Sequence, residues 1–167
     1  HAADVPGPNR RVAGDQQLWR FDGNSWQRFF TEATLAAITS LCEFRQQLYI
    51  GTATGLLQFD LYASGSTLNT IADVDGVAIN NIVVLRGNTA VDELWLATTA
   101  GPRQVIVNDD SDISAVQPPL FALACYTICD SGEDRLFGVE TGLVRYDCAL
   151  DCWHIYVGEA EGELTPE

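Results

Sequence analysis

A chain of 167 residues, 47% of them hydrophobic, is long enough to bury a core as one domain, and its formal charge of -14 makes duplex nucleic acid and anionic membrane surfaces poor partners. Every basic residue is arginine, and no apolar run reaches the roughly eighteen residues of a transmembrane helix. The lack of methionine suggests a processed or excised chain. Five cysteines suit an oxidising compartment, and the start His1-Ala2-Ala3-Asp4 suits a mature end left by signal cleavage, so the expected location is extracellular or periplasmic.

In chain order, residues 1–10 contain Pro6-Gly7-Pro8-Asn9 and read as an extended lead-in, because proline removes ladder donors and restricts its neighbour. From Arg11 the chain runs through Leu18 to Asp22, turns at Gly23-Asn24-Ser25 and returns in Trp26-Gln27-Arg28-Phe29-Phe30, a hairpin signal. A second unit opens with the strand Ile38-Thr39-Ser40-Leu41-Cys42. It continues through the hairpin Leu48-Tyr49-Ile50-Gly51-Thr52, Gly55-Leu56-Leu57-Gln58-Phe59-Asp60, and its last strand is expected at Thr67–Ala72. The third opens at Ile79 and has its longest loop from Arg86-Gly87-Asn88-Thr89. It carries Pro102-Arg103 where other copies have two apolar residues, which predicts a short or displaced third strand. The fourth runs from Phe121 through Leu136-Phe137-Gly138 and Gly142-Leu143-Val144-Arg145-Tyr146-Asp147 to Trp153-His154-Ile155-Tyr156. An acidic tail, 157–167, follows it.

Phe21, Phe59, Val105 and Tyr146 occupy equivalent positions at a spacing of about forty residues, and that period with several short strands per unit is the signature of a β-propeller. The expected fold is therefore all-β, with four blade-like repeats over about 11–36, 37–77, 78–119 and 120–156. They form either a small closed ring or an arc completed by another chain. Ile38-Thr39-Ser40-Leu41, Leu48-Tyr49-Ile50-Gly51-Thr52 and Gly55-Leu56-Leu57-Gln58-Phe59-Asp60 together resemble the repeat of the two-component-regulator propeller family. The resemblance implies an exported β-propeller of the kind found in sensor modules.

The repeated glycine, the Gly-Thr pairs and the Phe/Tyr-Asp pairs have structural explanations: close approach of blades, packing between sheets, and an aspartate that accepts backbone donors in the next turn. Trp19, Trp26, Trp95 and Trp153 read as packing residues. Cys125 and Cys129 with Cys148 and Cys152 form two C-x3-C pairs, for which disulfide staples fit better than a four-thiolate zinc site. A Cys148 to Cys152 bridge across Ala149-Leu150-Asp151 is the expected staple. Cys42 and Cys129 fall at equivalent positions of different repeats, and an odd cysteine stays free or pairs between chains. Acidic stretches at Asp73-Val74-Asp75 and Asp109-Asp110-Ser111-Asp112 are solvated turns with a weak capacity for calcium, and no other cofactor is expected.

For catalysis only His1 and His154 are available, and no nucleophile, Walker or dinucleotide motif is present, so the chain is not expected to be an enzyme. The first unit lacks the opening strand that the other three have, which leaves an open edge for pairing. The functional expectation is a non-catalytic extracellular scaffold that self-associates through strand edges, as an oligomer, a filament or another assembly. A ligand-sensing or carbohydrate-binding propeller module is the alternative.

Overall fold

A computed structural model describes residues 18–28, 35–62, 67–86, 92–109, 112–116, 122–132 and 134–157. The lead-in over 1–10, the loop Gly87-Asn88-Thr89 and the tail from residue 158 onward lie outside the described residues. The chain divides into two compact units, His1–Ala37 and Ile38–Glu167.

In the first unit, β1 (Trp19–Phe21) and β2 (Trp26–Arg28) pair antiparallel. Asp22 builds the turn between them: its Oδ1 accepts the N–H of Asn24 at 2.9 Å and of Ser25 at 2.8 Å, and Gly23 takes a φ of 100° that a side chain disfavours. The Asn24 and then the Ser25 amide hold the Asp22 carboxyl below the usual carboxylate range.

Among its described residues the second unit holds three four-stranded antiparallel sheets, each a meander in chain order and none closed on itself. The first contains β3 (Ile38–Phe44), β4 (Gln47–Thr52), β5 (Gly55–Asp60) and β6 (Asn69–Thr70). In the middle sheet are β7 (Ile79–Arg86), β8 (Asp92–Thr98), β9 (Arg103–Asp109) and β10 (Asp112–Val116). The last holds β11 (Cys125–Asp130), β12 (Asp134–Val139), β13 (Gly142–Asp147) and β14 (Cys152–Val157).

Strand β8 of the middle sheet is buried on both faces, which is why it reads as the unbroken apolar run Leu94-Trp95-Leu96-Ala97. Leu94 and Leu96 enter one cluster with Tyr49, Leu56, Val74 and Ile79, whereas Trp95 and Ala97 enter a second with Ile128, Phe137 and Val144. Strand side chains alternate between faces, so consecutive residues of one strand serve two different interfaces. Gly51 lets the first two sheets close: a Cβ there would lie 2.8 Å from Ile79 Cγ2 and 2.5 Å from Ser40 Oγ.

The repeated polar residues shape turns. Asp60 Oδ1 accepts the Tyr62 N–H at 2.8 Å, and Asp147 Oδ1 accepts those of Ala149 and Leu150, both at 3.0 Å. Thr52 Oγ1 donates to the Gly55 carbonyl at 2.9 Å and Thr98 Oγ1 to that of Gly101 at 2.5 Å, closing two equivalent turns in the same way.

Two local expectations need correction, and one turn carries no marking residue. The strand after Pro102 is seven residues long, not short, although it pairs with β8 only at Leu94, Trp95 and Leu96. Pro102 precedes the strand and removes no ladder donor. The strand expected over Thr67–Ala72 shrinks to Asn69–Thr70, because the chain turns into a 3-10 helix at Ala72–Val74 that buries Val74 completely. The β3–β4 hairpin closes on Arg45 and Gln46 at φ of 50° and 66°, a two-residue turn without the glycine or asparagine that usually marks it.

Candidate functional site

The opening strands β3, β7 and β11 each carry a bulge at the same place, so that Thr39, Asn80 and Tyr126 stand outside the ladder of their own sheet. A bulge re-aims its side chain, and here the target is the next sheet. Thr39 Oγ1 donates to the carbonyl of Ile79, and Asn80 Nδ2 donates to that of Cys125 at 2.7 Å. Each bond lands on the residue just before the next bulge, so one local device repeats from sheet to sheet; β7 packs accordingly against both β3 and β11. Tyr126, the third in the series, is 53% exposed. On the face of this sheet opposite the second cluster, Leu143 and Tyr156 are cross-strand partners and are 41% and 44% exposed.

That same face holds a second feature. Cys152 and His154 alternate along β14 and so point to one side, and Asp147 is the cross-strand partner of Cys152. One ligand-type atom from each of Asp147, Cys152 and His154 lies within 4.8 Å of the others, and Cys152 Sγ is 3.3 Å from His154 Nε2. Asp147 is buried, and the other two are half-buried. Beside them, Arg145 Nε binds Asp134 Oδ2 at 2.8 Å and its NH2 group reaches Asp147 Oδ2 at 3.2 Å. The motifs sought in the sequence were thiol pairs and catalytic histidines, so this constellation was missed. Its signal was Cys-x-His on a strand next to the conspicuous Tyr-Asp pair.

None of the five cysteines is disulfide-bonded in this structure, so the staple expected between Cys148 and Cys152 is not formed in it. The last hairpin closes one residue earlier than expected: Cys152 faces Asp147, which leaves Cys148 in the turn. Cys125 is buried in the second cluster, where burial pushes its thiol up to about 12, while Cys129 is exposed, so the four clustered thiols do not converge on one point. Cys42 and Cys129 do occupy equivalent ladder positions, each two residues beyond the partner of Gly51 or Gly138.

The four tryptophans separate into two pairs. Trp95 is 3% exposed and meets Phe137 edge-on at 5.6 Å, and Trp153 lies tilted against Tyr146 at 4.6 Å; these are packing residues. Trp19 and Trp26 are 47% and 60% exposed and share the β1–β2 hairpin with Phe21, whose ring lies 5.0 Å from that of Trp26. Of the acidic stretches, Asp73 is tied to the middle sheet, its Oδ2 accepting the Ala115 N–H at 2.9 Å. Asp110 and Ser111 lie outside the described residues, as does His1. No helix among the described residues is long and apolar enough to cross a membrane.

No protein-family model matches the sequence, and no curated protein is significantly similar to it.

Proposed function

We propose that the three meanders are propeller-type blades, as the resemblance to the two-component-regulator propeller repeat implies, and that the chain is a non-catalytic scaffold. It acts outside the cytoplasm and self-associates by adding a further sheet to the series. The observation that carries this reading is the repeated bond from bulge side chain to next-sheet carbonyl, with Tyr126 exposed at its third position. The occupant that suits such a face is another blade of the same kind from a second copy, because the registration device is already in place. Leu143 and Tyr156 supply the apolar area beside it. An interface that meets a different face of its partner propagates when the rotation does not close, so an oligomer or filament follows.

Light scattering tests this. The wild type is expected to exceed the 18.2 kDa of one chain, with mass rising with concentration, and L143E/Y156E is expected to stay at one chain with an unchanged circular dichroism spectrum. A wild type that stays monomeric at millimolar concentration overturns the reading.

The exposed aromatics of the β1–β2 hairpin favour, as a second reading, saccharide stacking on Trp19 and Trp26. Tryptophan fluorescence is then expected to shift on titration with oligosaccharides. Emission unmoved across a panel of neutral and acidic oligosaccharides removes this second reading.

A further inference from the structure

We infer that Asp147, Cys152 and His154 bind a divalent cation of the zinc class at the end of the β13–β14 hairpin. The donor set decides the metal. A thiolate and an imidazole select zinc and its borderline neighbours over calcium and magnesium, which prefer oxygen alone.

The spacing fits without rearrangement of the backbone. Zinc-to-sulfur and zinc-to-nitrogen bonds of tetrahedral geometry hold those two ligand atoms about 3.6 Å apart, and here Cys152 Sγ and His154 Nε2 are 3.3 Å apart. The carboxylate of Asp147 completes three donors within 4.8 Å of one another. Asp147 Oδ1 is engaged by the amides of Ala149 and Leu150, and Oδ2 by Arg145; each oxygen has two lone pairs, so Oδ2 retains one for a metal. The amides fix the carboxylate where a ligand must stand.

Charge also balances. Arg145 would repel a cation, but its shorter bond is to Asp134, which neutralises it. What remains at the site is one carboxylate and one thiolate against a divalent ion. Three protein ligands leave a fourth position for water, and the half-burial of Cys152 and His154 gives the ion a path from solvent. Bound there, the ion joins the last two strands across their turn, the role expected of a disulfide between Cys148 and Cys152. A bridge between those cysteines would consume the Cys152 thiolate, so oxidation and metal binding exclude each other.

The test uses the full chain, reduced and freed of metal, titrated with cobalt(II). One equivalent is expected to give the thiolate-to-cobalt charge-transfer band with the strong visible bands of tetrahedral geometry, and zinc is expected to abolish both by displacement. C152S is expected to lose the charge-transfer band and H154Q to weaken binding at least tenfold, while C129S and C42S titrate as the wild type does. Zinc is also expected to raise the melting temperature of the wild type and not of C152S. A reduced wild type without the charge-transfer band overturns the proposal, and so does a band that survives in C152S, which would place the metal on another thiol.

Discussion

Phe137→Ala is expected to lower the unfolding free energy by about 3–5 kcal/mol, the range for truncating a fully buried phenylalanine. Phe137 has no exposed surface and sits in the middle of β12, where its ring lies 5.6 Å from that of Trp95 on the middle sheet and 5.4 Å from that of Trp153 on its own. Both neighbours are large, flat and held by other contacts: Trp95 donates its indole N–H to Glu93 at 2.8 Å, and Trp153 packs against the Tyr146 ring. Neither can collapse into the space left by a lost ring, so the residual cavity stays open and the cost falls high in the range. Phe137→Leu keeps most of the volume and is expected to lose about 1–1.5 kcal/mol. Denaturant titration with an unchanged slope gives both values. A loss below about 1 kcal/mol for the alanine variant would mean that the second cluster does not hold the last two sheets together.

How much of this was legible in the sequence depended on whether a feature was local. The turn aspartates were readable because an Asx turn needs only its own residue and the next few amides, and Asp22, Asp60 and Asp147 all behave so. The glycine of the repeat was readable for a similar reason, although its consequence at Gly51, contact with Ile79 of the next sheet, needed the stacking to be seen. Register was less legible. Moving the last turn by one residue changes the partner of Cys152 from Cys148 to Asp147, and with it the chemistry from a staple to a ligand set. The bulge residues Thr39, Asn80 and Tyr126 share no side-chain type, so no pattern marks them; what they share is position in a ladder. Arg45 and Gln46 take left-handed conformations that their composition argues against, imposed by the tight connection between β3 and β4.

Least legible was the ion pair between Glu93 and Arg135, forty-two residues apart, and its removal is the other large expected effect. Arg135 NH2 lies 3.0 Å from Glu93 Oε1, with side-chain exposures of 8% and 22%, so the middle and last sheets are joined by a charge pair largely withdrawn from water. The guanidinium also sits 5.3 Å from the ring of Trp95 and 5.7 Å from that of Tyr146. Glu93→Ala leaves the arginine charge buried without its carboxylate and takes the acceptor from the Trp95 indole as well. The expected loss is about 3 kcal/mol, the low end for breaking a buried pair, because Glu93 retains some contact with solvent. Glu93→Gln keeps one acceptor oxygen, enough for one of the two donors, and is expected to lose less than the alanine variant. Arg135 Nε is buried without a hydrogen-bond partner, so the pair is incompletely satisfied even in the wild type. E93L/R135M, which removes both charges and fills the same space with apolar atoms, is expected to recover most of the loss of Glu93→Ala but to stay below the wild type, because the buried Trp95 indole N–H still lacks its acceptor. Denaturation of the four proteins side by side decides it. If Glu93→Ala falls within about 0.5 kcal/mol of the wild type, the arginine is solvated in solution and the two sheets are held by the aromatic cluster alone.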